Sequence, residues 1–212
     1  MNFSKIIDKL DTGDLLLFHS DKPIGCCIQC ITKSKYCHVG MVLKDPTFIN
    51  PKLTGYYLWE SSEEPFPDAE NEEIFYGVQI TSLKKVLKEY GSGNVFYRKL
   101  FLLENLNEEK LKETHEKIHH HRYDLNIIDW IRAGIYHTEN SINDNTKLLK
   151  NNKIKTPKTV WCSALIGYIY VSMGWITSEI KWKFLSPEDW AYPNDKKLGF
   201  INSFLTPDNK LF

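Results

Sequence analysis

No stretch of this 212-residue sequence approaches the roughly 18 uninterrupted apolar residues of a membrane-spanning helix, and the opening MNFSKIIDKLDTGD holds no apolar run long enough for a secretory leader. The expectation is a cytoplasmic protein with no spanning membrane segment. An excess of charge of either sign is missing too. Lys+Arg and Asp+Glu number 27 each, so no overall field draws the chain to nucleic acid or to an anionic membrane surface, and neither is expected as a partner. A disulfide framework is also absent. Five cysteines make an odd number, and four of them (Cys26, Cys27, Cys30, Cys37) crowd into twelve residues, a layout that suits reduced thiols better than the bridges of a secreted domain. No internal repeat is visible.

What is present is the balance of a globular protein, 42% apolar and 25% charged. Length favours one domain over 1–212. The runs DLLLF (14–18), HVGMVL (38–43), YYLWES (56–61), YGVQI (76–80) and NVFYRKL (94–100) are short, apolar, and bounded by Gly, Pro, Asn and Asp, which predicts strands. KPIGCCIQCITKS predicts a short helix between the first two strands. A second helix is expected from Thr81 or Ser82 to Gly91, where a left-handed cap is favoured. Asn107 as a cap, with Glu108 and Glu109 in the first turn, predicts a third, whose inner stripe is Leu111, His115 and Ile118. DLNIIDWIRAGIY (124–136) reads as another helical segment, and the polar stretch 140–158 as a surface insertion. WCSALIGYIYVSMG (161–174) is apolar nearly all round, as a buried helix is.

Cys162 falls in the first turn of that helix, where orphan N–H groups and the helix dipole favour a thiolate. His38 heads HVGMVL and Glu60 ends YYLWE, so two neighbouring strands can present an imidazole and a carboxylate to one spot. Thiol catalysis uses such a set: the histidine takes the thiol proton, the imidazolium holds the thiolate, and the carboxylate fixes the imidazole tautomer. A packed cysteine, a strand-edge histidine and a solvated glutamate are the plainer reading of each residue alone.

The ordered set TGDLLLF, a helix ending ITKSKYCHVGMVL, WESS, RYDL, WCSALIGYIY and FLSPEDW resembles the circularly permuted papain-like enzymes of the NlpC-type superfamily, in the branch with bacterial and poxvirus members. The likeness spans about residues 12 to 190. It implies an α+β fold in which a mainly antiparallel sheet carrying His38 and Glu60 packs against helices, with Cys162 as nucleophile, His38 as base and Glu60 as third member of the triad. It also implies that Tyr123, in RYDL, borders the substrate. The expected activity is that of a cysteine hydrolase or acyltransferase acting on a peptide, another amide or a lipid ester through a thioester, with no cofactor and no metal. A catalytically inactive peptide- or lipid-binding module of the same fold is the alternative from another class.

A rival lies in HEKIH (115–119), which fits the H-E-x-x-H pattern of a zinc metallopeptidase, with His115 and His119 one turn apart, Glu116 between them and Glu139 available as a third ligand. Against it stand a strongly charged helix and a local run of histidines that favours a chance match. Cys27, Cys30 and Cys37 with His38 have no familiar zinc spacing. Core thiols are the preferred reading of Cys27 and Cys30, and no thioredoxin-like unit surrounds the C-x-x-C pair.

Overall fold

The computed structural model describes residues 7–124 and 157–211. Apart from Asp124 at one end and Pro157 and Lys158 at the other, the helix expected over 124–136 and the insertion over 140–158 lie outside them. The fold is α+β. A six-stranded antiparallel sheet has the order β4-β3-β2-β1-β5-β8, formed by β1 (Leu15–Phe18), β2 (His38–Lys44), β3 (Tyr56–Ser62), β4 (Gly77–Ser82), β5 (Val95–Arg98) and β8 (Asn209–Lys210). A separate ribbon pairs β6 (Leu100–Leu102) with β7 (Ser203–Leu205).

The central strands are buried on both faces, which explains their continuous rather than alternating apolar runs. One face presents Leu15, Leu17, Val39, Met41, Trp59 and Ile80 to helix α4 (Cys162–Met173) and to α3 (Glu108–Ile118). The other presents Leu16, Phe18, Val42 and Leu58 to α2 (Leu83–Tyr90) through Leu83, Val86 and Leu87. Every residue of α4 except Ser172 is buried. Its approach to the turn at Trp182 is close enough that a Cβ on Gly167 would sit 2.8 Å from the Trp182 Cβ.

Local signals set the helix ends. Pro23 opens α1 (Pro23–Thr32), and Lys33 closes it in the left-handed region at φ 51. The Asn107 side chain accepts from the Lys110 N–H at 2.9 Å and starts α3. Gly174 ends α4 at φ 80, ψ 19. Gly91 ends α2 at φ 73 but ψ 179, so its backbone leaves the left-handed helical region expected of it and caps through its N–H to the Leu87 carbonyl. On α1, Cys26, Cys27 and Cys30 are exposed. The core reading of Cys27 and Cys30 is therefore corrected: the helix is apolar in composition, yet this face covers no other element among the described residues.

The expected single strand over 94–100 is in fact two. The chain leaves the main sheet at Lys99, whose N–H is taken by Thr206 Oγ1 at 2.9 Å, while the Leu100 N–H goes to the Asp14 carboxylate at 2.9 Å. Arg98 anchors this corner. It is fully buried and donates to the Trp190 carbonyl (2.6 Å), the Thr206 carbonyl (2.6 Å) and Asp195 Oδ2 (2.8 Å). Replacing Arg98 with Met should cost about 3–5 kcal/mol, because Asp195 and two carbonyls lose their donor. At this chain length that is a fall in Tm of roughly 6–20 °C. A thermal melt unchanged within 2 °C or so would show the network to be dispensable.

Candidate active site

His38 begins β2 and Glu60 lies near the end of β3. Both side chains project from the sheet face that carries Phe18, Val42 and Leu58, as their even spacing along the strands requires. His38 Nε2 and Glu60 Oε2 are 2.7 Å apart, with side-chain exposures of 8% and 2%. The imidazole is flanked by the rings of Phe18, at a centroid distance of 5.4 Å, and of Tyr90, nearly parallel at 6.4 Å. Neither aromatic stood out in the sequence. Pairing of Phe18 opposite His38 follows from the register, but the arrival of Tyr90 from the end of α2 has no sequence signal.

Cys162 reaches the same spot from the opposite layer. Its helix start is fixed from three directions: the Trp161 indole and the Ser163 hydroxyl both donate to the Leu185 carbonyl (3.0 and 2.6 Å), the Trp190 indole donates to the Ser163 carbonyl (3.2 Å), and Ser61 donates to the Val160 carbonyl at 2.6 Å. The last bond ties the residue after Glu60 to the chain entering α4. The Cys162 side chain lies near enough to the His38 ring to act on its protonation. Since Nε2 is occupied by Glu60, the ring nitrogen left for the thiol is Nδ1. Among the described residues no capping side chain bonds the first turn of α4, whose N-cap is Trp161, so its N–H groups are not consumed by a cap there.

The electrostatics favour a protonated ring. Burial alone would push the His38 pKa down, but the Cys162 side chain and then the Glu60 carboxylate outweigh it and raise the pKa to about 10. Glu60 Oε1 has no hydrogen-bond partner among the described residues. A buried carboxylate held by so few contacts is tolerable chiefly because a cation can form beside it. Cys37, adjacent in sequence, behaves differently: burial pushes its thiol up to about 12, and Sγ donates to the Phe18 carbonyl at 3.3 Å.

Two hollows meet at this point. One, of about 650 Å³, is bordered by His38, Tyr90, Ile28 and Tyr123, with Asp21, Glu63 and Glu64 on its rim. The other, about 20 Å³, is apolar and bordered by Cys162, Trp161, Leu185 and Tyr123. Tyr123 thus lies between them. It is placed there because residues 121–123 run beside the start of β4, with Tyr123 N–H to the Tyr76 carbonyl at 3.1 Å and the Arg122 carbonyl accepting from Val160 N–H at 3.0 Å. Burial raises its phenol pKa well above the ordinary value, and the nearby Cys162 adds to the rise.

The HEKIH residues sit elsewhere. His115 is buried against Trp59, with ring centroids 5.5 Å apart, on the α3 side of the sheet. The helix stops at Ile118, so His119 is its cap, at φ −58 and ψ 141, rather than a helical residue. Glu116 is exposed. Glu139 lies outside the described residues.

No family model matches this chain, and no curated protein matches it. Among solved structures it is similar to the metalloprotein yiiX of Escherichia coli O157:H7, DUF1105, at 18% identity and a TM-score of 0.43, over 77% of this chain and 66% of that one. The chain spans just under two thirds of that protein's length. No site residue or activity is carried across from it. No helix among the described residues is long and apolar enough to cross a membrane.

Proposed function

We propose that the chain is a thiol-dependent hydrolase or acyltransferase with a permuted papain-like fold, in which Cys162 is the nucleophile, His38 the base and Glu60 the residue that orients and charges His38. The observation that carries this reading is the buried 2.7 Å contact of Glu60 with His38 Nε2, beside a Cys162 side chain that helps raise the pKa of the same ring. Attack of the Cys162 thiolate on an acyl carbonyl forms the S–C bond and a tetrahedral oxyanion. N–H groups in the uncapped first turn of α4 are positioned to receive that oxygen. The His38 imidazolium gives its proton to the departing amine or alcohol, leaving a thioester. Water or another acceptor, deprotonated by the now neutral His38, then attacks the thioester and restores the thiol pair.

Ile28, Tyr90 and Tyr123 offer apolar wall for an acyl chain or a peptide side chain, and the carboxylates on the rim favour a neutral or cationic substrate over an anionic one. Incubation with amide and ester libraries followed by mass spectrometry tests the reading directly. A trapped acyl group on Cys162 is expected. Turnover with no adduct, unaffected by alkylation of Cys162, would discard it. Saturable peptide or lipid binding without turnover would favour the binding module.

Thiol labelling offers a second check. Cys26, Cys27 and Cys30 are exposed, whereas Cys162 is only 4% exposed, so access alone makes Cys162 a slow target. At mildly acidic pH we nevertheless expect iodoacetamide to modify Cys162 first, because the thiolate is the reacting species and an imidazolium neighbour holds it. Peptide mapping decides. Earlier labelling of the α1 thiols in the folded protein would count against the ion pair.

A further inference from the structure

On the other side of the sheet from His38 and Glu60, the loop between β3 and β4 meets the end of α3. There Glu70, His115 and His119 bring one ligand atom each to within 4.8 Å of one another, and Asp68, His119 and His120 do the same. We infer that Glu70, His115 and His119 hold a structural Zn²⁺, with Asp68 lying against His119 outside that set.

The inference rests on how these atoms meet. His115 Nε2 lies 2.8 Å from Glu70 Oε2, His119 Nε2 lies 3.1 Å from Glu70 Oε2, and His119 Nε2 lies 3.4 Å from Asp68 Oδ2. Yet among the described residues His115 Nε2, Glu70 Oε2 and Asp68 Oδ2 are buried and make no hydrogen bond of donor–acceptor geometry, so these contacts pair charges only if the histidines are protonated. The lone pairs crowd one point without the angles of donor and acceptor. N and O ligands at about 2.05 Å from a tetrahedral zinc are about 3.3 Å from one another, and the two separations from Glu70 Oε2, 2.8 and 3.1 Å, lie close to that value. His115 is 5% exposed, so a neutral imidazole lone pair facing the Glu70 carboxylate is costly there, and a cation between them removes the cost. Imidazole and carboxylate donors together suit Zn²⁺ better than Mg²⁺ or Ca²⁺, which take oxygen.

The local fold holds the set in place. Asp68 and Glu73 close a turn through the Asp68 N–H to the Glu73 carbonyl (2.8 Å), the Ala69 N–H bonds the Ile80 carbonyl (2.7 Å), and the His120 N–H bonds the Val78 carbonyl (3.1 Å). An ion here would pin the β3–β4 loop and the end of α3 to the β4 edge. The same segment continues into Tyr123, so the site would brace one wall of the thiol cleft from behind. The geometry is that of a holding site rather than a hydrolytic one, because Glu116 is exposed and His119 has left the helix.

Titration of the whole chain with Co²⁺ as a spectroscopic stand-in, and with Zn²⁺, tests this apart from any activity. One equivalent should bind with the visible bands of a nitrogen and oxygen tetrahedral site and no thiolate-to-cobalt charge-transfer band. Zn²⁺ at a hundredfold excess over its Kd should raise Tm by roughly 5–10 °C. Both effects should persist in Cys162→Ala and vanish in Glu70→Gln and His119→Asn. Absence of binding, a thiolate band, or binding unchanged in both variants would overturn the site. If the variants do not fold, the band pattern of the parent protein still decides, because a cysteine site and this site differ in it.

Discussion

Cys162→Ala should lower kcat/KM by about 10⁴-fold or more, roughly 5.4 kcal/mol of transition-state stabilisation. The thioester route needs a nucleophile that alanine cannot supply, and what remains is binding and oxyanion contacts alone. The fold should survive, since the change removes one buried sulfur at the mouth of a small hollow and leaves the Trp161, Ser163 and Trp190 hydrogen bonds that fix the helix start. His38 needs a different substitution. His38→Ala would strand Glu60 as a buried unpaired carboxylate, whereas His38→Gln keeps a donor for Glu60 Oε2 and loses the base. Its loss should match that of Cys162→Ala, and the double variant should be hardly worse than either, because residues that act as one unit are not additive. A Cys162→Ala protein that keeps more than about a tenth of the parent rate would remove the nucleophile and with it the proposal.

The site was legible to the extent that it lies at element boundaries. Pattern and spacing put His38 at the first position of a strand, Glu60 near the end of its neighbour and Cys162 in the first turn of a buried helix, but only the family resemblance singled them out as a set; the structure pairs His38 with Glu60 and sets Cys162 close enough to act on the ring. What pattern could not show is what reaches the site from far along the chain. Tyr90 covers His38 from the end of α2, Ser61 grips the Val160 carbonyl 99 residues away, and residues 121–123 lie beside β4. The strand error at Lys99 has the same origin: an alternating apolar run looks continuous until a buried arginine and an aspartate from other segments claim its backbone. Composition misled once. The apolar helix α1 looked like core, and its three thiols face outward. HEKIH shows a third limit, because spacing named His115 and His119 correctly as neighbours but could not foresee that Glu70, from the loop after β3, completes the cluster.

Glu60→Gln separates the orienting and charging roles of the carboxylate from simple packing. Glutamine keeps the size of the side chain and can still bond His38, but it removes the negative charge that helps hold the imidazolium. Its amide can also turn its N–H toward Nε2. That forces the neutral ring to carry its proton on Nδ1, where it faces Cys162 as a donor and cannot take the thiol proton. A loss of about ten- to a thousandfold in kcat/KM is expected, roughly 1.4 to 4 kcal/mol. The pH profile should change shape as well. In the parent protein the alkaline limb reports loss of the imidazolium near the raised His38 pKa of about 10. Without the carboxylate that pKa falls, so the limb moves to lower pH and the active window narrows from its alkaline side. Stability follows the same sign. A histidine whose folded pKa lies above its unfolded value of 6.5 contributes stability that is complete below that value and is lost as pH rises through about 10. In Glu60→Gln the loss should be smaller and complete at lower pH, while at neutral pH the melting temperature changes little because a buried charge has gone along with its partner's stabilisation. A correctly folded Glu60→Gln protein with the parent's rate and the parent's alkaline limb would show that another group charges His38, and would take Glu60 out of the site.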